Sequence, residues 1–195
     1  GDALLQVEDT NEPARRLYDS LGFRAEGVFT TWKRPGSARR PPPIDQQIAY
    51  ISRRARGDSD QEFRLAQRAR GRDEIGWLRP LDRSFFSRSL LQSLGDAFSL
   101  RTTERLIIRR EDRAAILASM WIERAFGATT TQLTLLLDPG FAALYGDALL
   151  GNAVRRFDGS PLTIEHPASD ATVSHLLYKY TFAPQRTLVH MRLRA

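Results

Sequence analysis

The end of this 195-residue chain repeats the order of its beginning. Residues 3–34 read as strand, helix, strand. Moved forward by 159 positions they fall without a gap on a second strand, helix and strand, with Leu17 on Leu176 and Phe23 on Phe182. A copy spacing of 159 is the size of one α/β domain. The repeat therefore divides the chain into the carboxyl-terminal part of a first domain (1–34), a connector (35–47) and a second domain (48–195). Thirty-four residues cannot bury a core of their own. They must dock either on the rest of a first domain, the chain then being a fragment of a longer protein, or on the sheet of the second copy.

Ala3–Glu8 reads as a short buried strand. Asn11 stands where an N-cap belongs, with Pro13 in the tolerant first turn. Ala14, Leu17, Tyr18 and Leu21 share one helical face at i, i+3, i+4 and i+7. Gly22 fits the left-handed position that closes a helix, and residues 23–34 form another strand. Four prolines within residues 35–43 rule out helix and sheet and set an extended connector. Beyond it the pattern predicts strands at 48–54, 105–109, 114–125, 131–137, 162–165 and 182–194, with helices at 61–70, 85–94, 144–157 and 171–180. Asp138-Pro139-Gly140 breaks the 131–137 strand. An antiparallel run followed by alternating strands and helices is an α+β pattern, a mixed, mostly antiparallel sheet flanked by helices.

The chain has no cysteine, which excludes disulfides and thiolate metal sites. His166, His175 and His190 lack the spacing of a metal-binding pair, so no metal is expected. No run of 18 apolar residues and no signal-peptide pattern occur, which points to the cytoplasm and away from a membrane. Of the net charge of +6, residues 33–72 carry 11 Lys or Arg against four acids. Such a patch is either an anion or nucleic-acid footprint or a solvated connector. Because 27 of the 29 basic residues are Arg and no aromatic platform for bases is interleaved, the connector is favoured over nucleic acid.

Asn11-x-x-Ala14-x-x-Leu17-Tyr18-x-x-Leu21-Gly22-Phe23 closely resembles the N-x-x-A-x-x-L-Y-x-x-x-G-F segment of the GNAT N-acyltransferases, with strands on both sides as in that superfamily. The resemblance implies a GNAT fold and transfer of an acyl group, most simply acetyl from acetyl-CoA, to an amine. It implies cofactor contact for Asn11. For Tyr18 it implies a general acid that protonates the departing CoA thiolate. The residues by themselves are equally compatible with a plain helix cap and a core tyrosine.

The second copy is similar to a GNAT domain in its order of elements. Leu133–Leu137, Asp138-Pro139 and residues 140–150 resemble the strand, pyrophosphate loop and helix start that hold acyl-CoA. That likeness assigns cofactor contacts to Leu135, Leu136, Leu137, Gly146, Asp147 and Ala148. Strand N–H groups would stabilise the oxyanion, and N–H groups at the helix start would cradle phosphates. The loop departs from R/Q-x-x-G-x-G/A: Ala143 stands at the opening position, Tyr145 sits inside, and Asp147 brings a negative charge. The shift carries Asn11 to Asp170, Tyr18 to Leu177 and Gly22 to Thr181, so the acid is lost. Tyr178, one residue on, is turned by about 100°, and neither it nor Tyr180 is a safe replacement. Glu123, Glu165 and His166 are the base candidates, His166 acting through a water, whereas His175 and His190 read as a helix surface and a sheet face. Two functions stand: an acyl-CoA-dependent N-acetyltransferase of tandem type acting on a small-molecule or peptide amine, or a degenerate domain that supports the first copy or binds acyl-CoA without turnover. Open strand edges on a truncated first copy would favour a homo-oligomer or swapped dimer.

Overall fold

A computed structural model describes residues 1–39, 41, 49–70, 83–86, 101–112 and 115–194. Eight strands form one sheet: β1 (Ala3–Glu8), β2 (Arg24–Arg34), β3 (Ile51–Arg53), β4 (Arg101–Arg109), β5 (Ile116–Ala125), β6 (Thr131–Leu137), β7 (Leu162–Pro167) and β8 (Ala183–Leu193). Their order is β1-β8-β2-β7-β6-β5-β4-β3, and β6 and β7 are the parallel pair. Among the described residues the helices are α1 (Glu12–Ser20), α2 (Ser59–Arg70), α3 (Ala142–Arg156) and α4 (Ala171–Lys179). This is the α+β layered architecture that the element order predicts. β4 starts at Arg101 rather than 105, because Thr102, Thr103 and Glu104 continue the ladder against β5 without any apolar alternation to announce it. Of the helix predicted at 85–94, the described residues show a 3₁₀ turn, Arg83–Phe85, and Phe86, and residues 87–94 lie outside the described residues. No helix among those residues is long and apolar enough to cross a membrane.

One sheet face packs α3 and α4 over Leu133, Leu135, Leu137 and Ile164. The other packs α2 over Ile107, Trp121 and Leu136. α2 is pinned there by Glu62, which is fully buried. Its carboxylate accepts from Arg54 Nε and Arg105 Nη1, both at 3.1 Å, from Ser119 Oγ at 2.6 Å and from Trp121 Nε1 at 2.7 Å. Two guanidinium groups and two neutral donors compensate one buried charge, the condition under which such burial is tolerated.

The 34 amino-terminal residues dock on the sheet of the second copy, and the final strand of each copy lies inside the other's portion of the sheet. β8 lies between β1 and β2, and β2 between β8 and β7. The pairing is reciprocal about Phe29↔Leu188. A shift of 159 turns Arg24↔Arg192 into Lys33↔Ala183, Ala25↔Met191 into Trp32↔Pro184, and Gly27↔His190 into Thr31↔Arg186. The β1–β8 pairs, from Ala3↔Leu193 to Glu8↔Leu188, likewise become the β2–β7 pairs from Arg34↔Leu162 to Phe29↔Pro167. The register breaks correspond as well: Glu26 is skipped on β2 and its equivalent Gln185 on β8.

The helix ends repeat too. Asn11 Oδ1 accepts from Ala14 N at 3.1 Å, and Asp170 Oδ1 accepts from Val173 N at 2.9 Å. α1 closes at Gly22 with φ 91°, and α4 at Thr181 with φ 62°. Thr181 is the non-glycine residue with positive φ among the described residues, and β-branching makes that conformation costly. Thr181→Gly is expected to stabilise the fold by about 0.5–1 kcal/mol and raise Tm by roughly 2–4 °C, as read by thermal denaturation.

His190 lies in the seam, 1% exposed, stacked on Phe29 at 4.5 Å and hydrogen-bonded to Gln6 at 3.0 Å. Burial pushes its pKa down from 6.5 to about 4. Between those values the unfolded chain binds a proton that the folded chain does not, so stability falls as pH drops through that window. Urea unfolding at pH 7 and pH 4.5 is expected to differ by up to about 3 kcal/mol from this group, a difference that His190→Gln removes.

Candidate functional site

β6 and β7 pair at Thr131↔Leu162, Gln132↔Thr163 and Leu133↔Ile164, and then diverge. β6 runs on to Leu137, held by β5, and β7 to Pro167, held by β2. Asp138 N donates to Leu117 O at 2.8 Å, which fixes the alternation of peptide groups along β6. Residues 134, 136 and 138 turn theirs toward β5, and Leu135 and Leu137 turn theirs toward β7, past the last β6–β7 pair. The result is a V-shaped gap with a cavity of about 300 Å³, lined by Leu135, Leu137, Pro139, His166, Asp170 and Arg70 among others.

His166 and Asp170 supply polar chemistry to this gap. His166 Nε2 lies 2.9 Å from Asp170 Oδ2, while the other Asp170 oxygen caps α4. Burial works to raise the Asp170 pKa. Hydrogen bonds from His166 and from the Val173 and Thr172 N–H groups outweigh it and hold the carboxyl below its ordinary value.

After β6 the chain turns at once into a 3₁₀ segment, Pro139–Phe141, and then into α3. Asp138 accepts from Gly140 N at 3.2 Å and from Arg68 Nε at 2.9 Å, so a carboxylate already sits at the helix start. Gly146 lies within α3, facing the core. A Cβ there would stand 2.8 Å from Leu176 Cδ1 and 3.0 Å from Leu137 Cδ1, so a larger residue would have to push these two leucine methyls aside. Ala148 is buried in the same cluster. Asp147 Oδ1 receives Lys179 Nζ at 2.7 Å, which neutralises the charge that the sequence sets beside the loop. The Tyr180 hydroxyl donates to Asp147 O at 3.1 Å, and burial, with Asp147 next, pushes its pKa above the ordinary tyrosine value.

No protein-family model matches this sequence, and no curated protein matches it. Solved structures do. The GCN5-related N-acetyltransferase from Sphaerobacter thermophilus superposes with a TM-score of 0.64 and 16% identity over 99% of this chain. A tandem GNAT protein from the clavulanic acid biosynthesis pathway gives 0.57 and 9% over 98%. The N-myristoyltransferase of Saccharomyces cerevisiae, solved with bound myristoyl-CoA, gives 0.57 and 12% over 100%. The chain has the GNAT fold. It spans 60%, 63% and 53% of those three proteins, and the likeness is one of fold.

Within this GNAT fold the residues singled out in the sequence fall in two places. Leu135 and Leu137 wall the gap, whereas the Leu136 side chain packs on the opposite face with α2. Gly146, Asp147 and Ala148 lie behind it in α3. Asn11 and Tyr18 are on α1, beside β1, with β8, β2 and β7 between β1 and β6, so about 19 Å of sheet separates the two sets. Tyr18 packs edge-on to Phe23 at 5.8 Å. Among the base candidates, His166 lines the gap and Glu165 precedes it on β7, whereas Glu123 pairs with Gln132 on the closed side of the V. His175 is exposed on α4. Much of the arginine patch is structural: Arg34 is buried, Arg54 binds Glu62 and Arg68 binds Asp138. Among the described residues no cluster of His, Cys, Asp or Glu could hold a metal ion. The His166–Asp170 pair is the feature that sequence reasoning left apart, although its spacing of four around a helix start was visible.

Asp170→Ala is expected to cost about 1 kcal/mol through the lost cap. Asp170→Asn, carrying the side chain that caps α1, should keep the cap. A depressed carboxyl pKa contributes stability that is present above about pH 4 and lost as pH falls through the folded value. The Asn variant should therefore show a flatter decline than the parent in urea unfolding between pH 5 and 3.

Proposed function

We propose that the chain is part of an acyl-CoA-dependent N-acyltransferase, most simply an acetyltransferase, and that the gap between β6 and β7 takes the pantetheine arm of the donor. The observation that carries this reading is the loss of pairing past Leu133↔Ile164, with the Leu135 and Leu137 peptide groups turned into the gap. A ligand bearing secondary amides fits there as a substitute for the missing ladder. Acetyl-CoA, when bound, supplies the activated thioester. An N–H of Leu135 or Leu137 would face the thioester oxygen as oxyanion donor. His166, held by Asp170, would take the proton of the attacking amine, directly or through a water. The position of the first copy's Tyr18 is held by Leu177 on α4, and the Tyr180 hydroxyl is engaged with Asp147. The reciprocal seam supports reading 1–34 and 48–195 as the end of one GNAT domain and a second in tandem. The acceptor is a small-molecule or peptide amine.

A second reading is favoured by Asp138. Its carboxylate occupies the helix start that a diphosphate would need, and Gly146 is given over to packing. On this reading the second copy supports the half that keeps Asn11 and Tyr18 and does not itself turn over substrate. Calorimetry with acetyl-CoA, paired with thiol release in the presence of polyamines, aminoglycosides and peptides, separates the two. The enzyme reading expects binding and release, with His166→Ala lowering kcat by roughly 10²–10⁴-fold. Binding without release sinks turnover by the gap, and no heat at high protein concentration sinks donor binding and leaves the supporting role.

A further inference from the structure

At the end of the sheet opposite the gap, the described residues line a second cavity, of about 570 Å³. Among the described strands, β3 covers β4 only from Leu106 to Ile108. Arg54 N still donates to Arg105 O, and the chain then turns off into the 3₁₀ segment Arg56–Asp58. The first residues of β4 therefore border a hollow, with the end of β5 and the end of α3 on its other side. Six guanidinium groups line it: Arg53, Arg54 and Arg56 from the β3 end, Arg105 and Arg124 from the sheet, and Arg156 from α3.

Two carboxylates answer those six cations. Glu62 holds Arg54 and Arg105, whose side chains are 5% and 9% exposed. Glu104 is shared by Arg53 Nε at 3.0 Å and Arg156 Nη2 at 2.5 Å. The hydrogen bond from Arg156, with help from Arg53, outweighs burial and holds the Glu104 carboxyl below its ordinary value. Arg56 and Arg124 are exposed and have no carboxylate partner among the described residues. The cavity thus carries an excess of four positive charges, on groups that stay ionised at any physiological pH. α3 ends beside it, and Arg155 and Arg156 in the last turn offset the negative end of the helix dipole.

We infer that this cavity binds a small oligophosphate anion, one that carries two or more phosphate groups. The magnitudes select that class. A phosphomonoester brings about 1.5–2 negative charges, so two of them match the excess of four, whereas a single carboxylate leaves most of it standing. Guanidinium forks take phosphate oxygens in pairs, and a cavity of this volume accommodates a small molecule. Arg56 and Arg124 make the first contacts, since neither is committed to a carboxylate. Glu104 is the anion already in place. Arg53, with a side chain 79% exposed, and Arg156 can exchange that carboxylate for a phosphate without disturbing the core. Arg54 and Arg105 stay on Glu62 and contribute their field. The cavity is separate from the gap: Arg124 stands about 13 Å along β5 from Met120, which pairs with Leu135. The inference therefore does not depend on the acyltransferase reading.

Calorimetry of the full chain with inorganic tripolyphosphate at low salt tests the site, and binding at one ligand per chain is expected. Arg56→Ala with Arg124→Ala should weaken Kd roughly tenfold or more. Both side chains are exposed and uncommitted, so the double variant should melt at the temperature of the parent. Glu104→Gln should tighten Kd several-fold by removing the competing carboxylate. Arg16→Ala, which removes an exposed arginine on α1, should leave Kd unchanged. A hexose bisphosphate and a nucleoside triphosphate run alongside distinguish the sources of this chemistry. Tighter binding of either, with the same dependence on Arg56 and Arg124, supports the inference and identifies the source. No heat with tripolyphosphate overturns it. So does equal weakening by Arg16→Ala, which would mean diffuse attraction only, or binding that acetyl-CoA displaces and the double substitution leaves intact. Failure of acetyl-CoA to bind counts against the acyltransferase reading alone.

Discussion

The ladder between β2 and β8 is the constraint on which the rest of the structure depends. It joins the two copies, gives β1 and α1 their attachment, and places β7 beside β2 so that its other side is free to splay from β6. Arg34 secures its end. The fully buried guanidinium donates from Nε to Tyr180 O and from Nη2 to Ala38 O and Arg39 O, each at 3.1 Å. It thereby ties β2 to the closing turn of α4 and to the first residues of the connector. Burial lowers its pKa, with Asp158 opposing, yet a guanidinium remains charged at any physiological pH. Three carbonyl acceptors offset part of the cost of placing it there.

Buried and half-buried charges perform related work elsewhere. Glu62 fastens α2 to β4 and β5, Asp138 with Arg68 fastens the α2 end to the turn after β6, and Asp147 with Lys179 fastens α3 to α4. The lining of the gap between β6 and β7 mixes apolar residues with His166, Asp170, Arg70, Ser169 and Thr172.

Much of the fold was legible because its signals are local. Asn11, the Ala14–Leu17–Tyr18–Leu21 stripe and Gly22 mark a helix start, face and stop, and the shift of 159 finds the same helix in Asp170–Thr181 with its caps intact. The exchange of final strands was not legible, because a strand of given pattern fits its own copy or the other equally well, and the choice lies in pairing between residues such as Phe29 and Leu188, far apart in the sequence. The splay escaped for a similar reason: Leu133 to Leu137 is one apolar run whether or not a neighbour pairs with it. The close approach of Gly146 to Leu137 and Leu176 was not visible in the pattern, and the partner of Asp147 lay 32 residues away, beyond any periodicity. Leu177 at the position equivalent to Tyr18 was fully visible.

The exchanged strands also set a timetable for synthesis. Among the described strands β2 pairs with β7 and β8 and β1 with β8, so β2 waits for residues 162–167 and β1 for residues 183–193 to leave the ribosome. At ordinary elongation rates that leaves β1 and α1 waiting roughly ten to thirty seconds, and β2 somewhat less. Through that interval Val28, Phe29 and Trp32 form a bare apolar strand in search of a ladder. Closure of the fold is thereby deferred to the last turn of the chain, and a nascent segment in that condition is a natural client for chaperones.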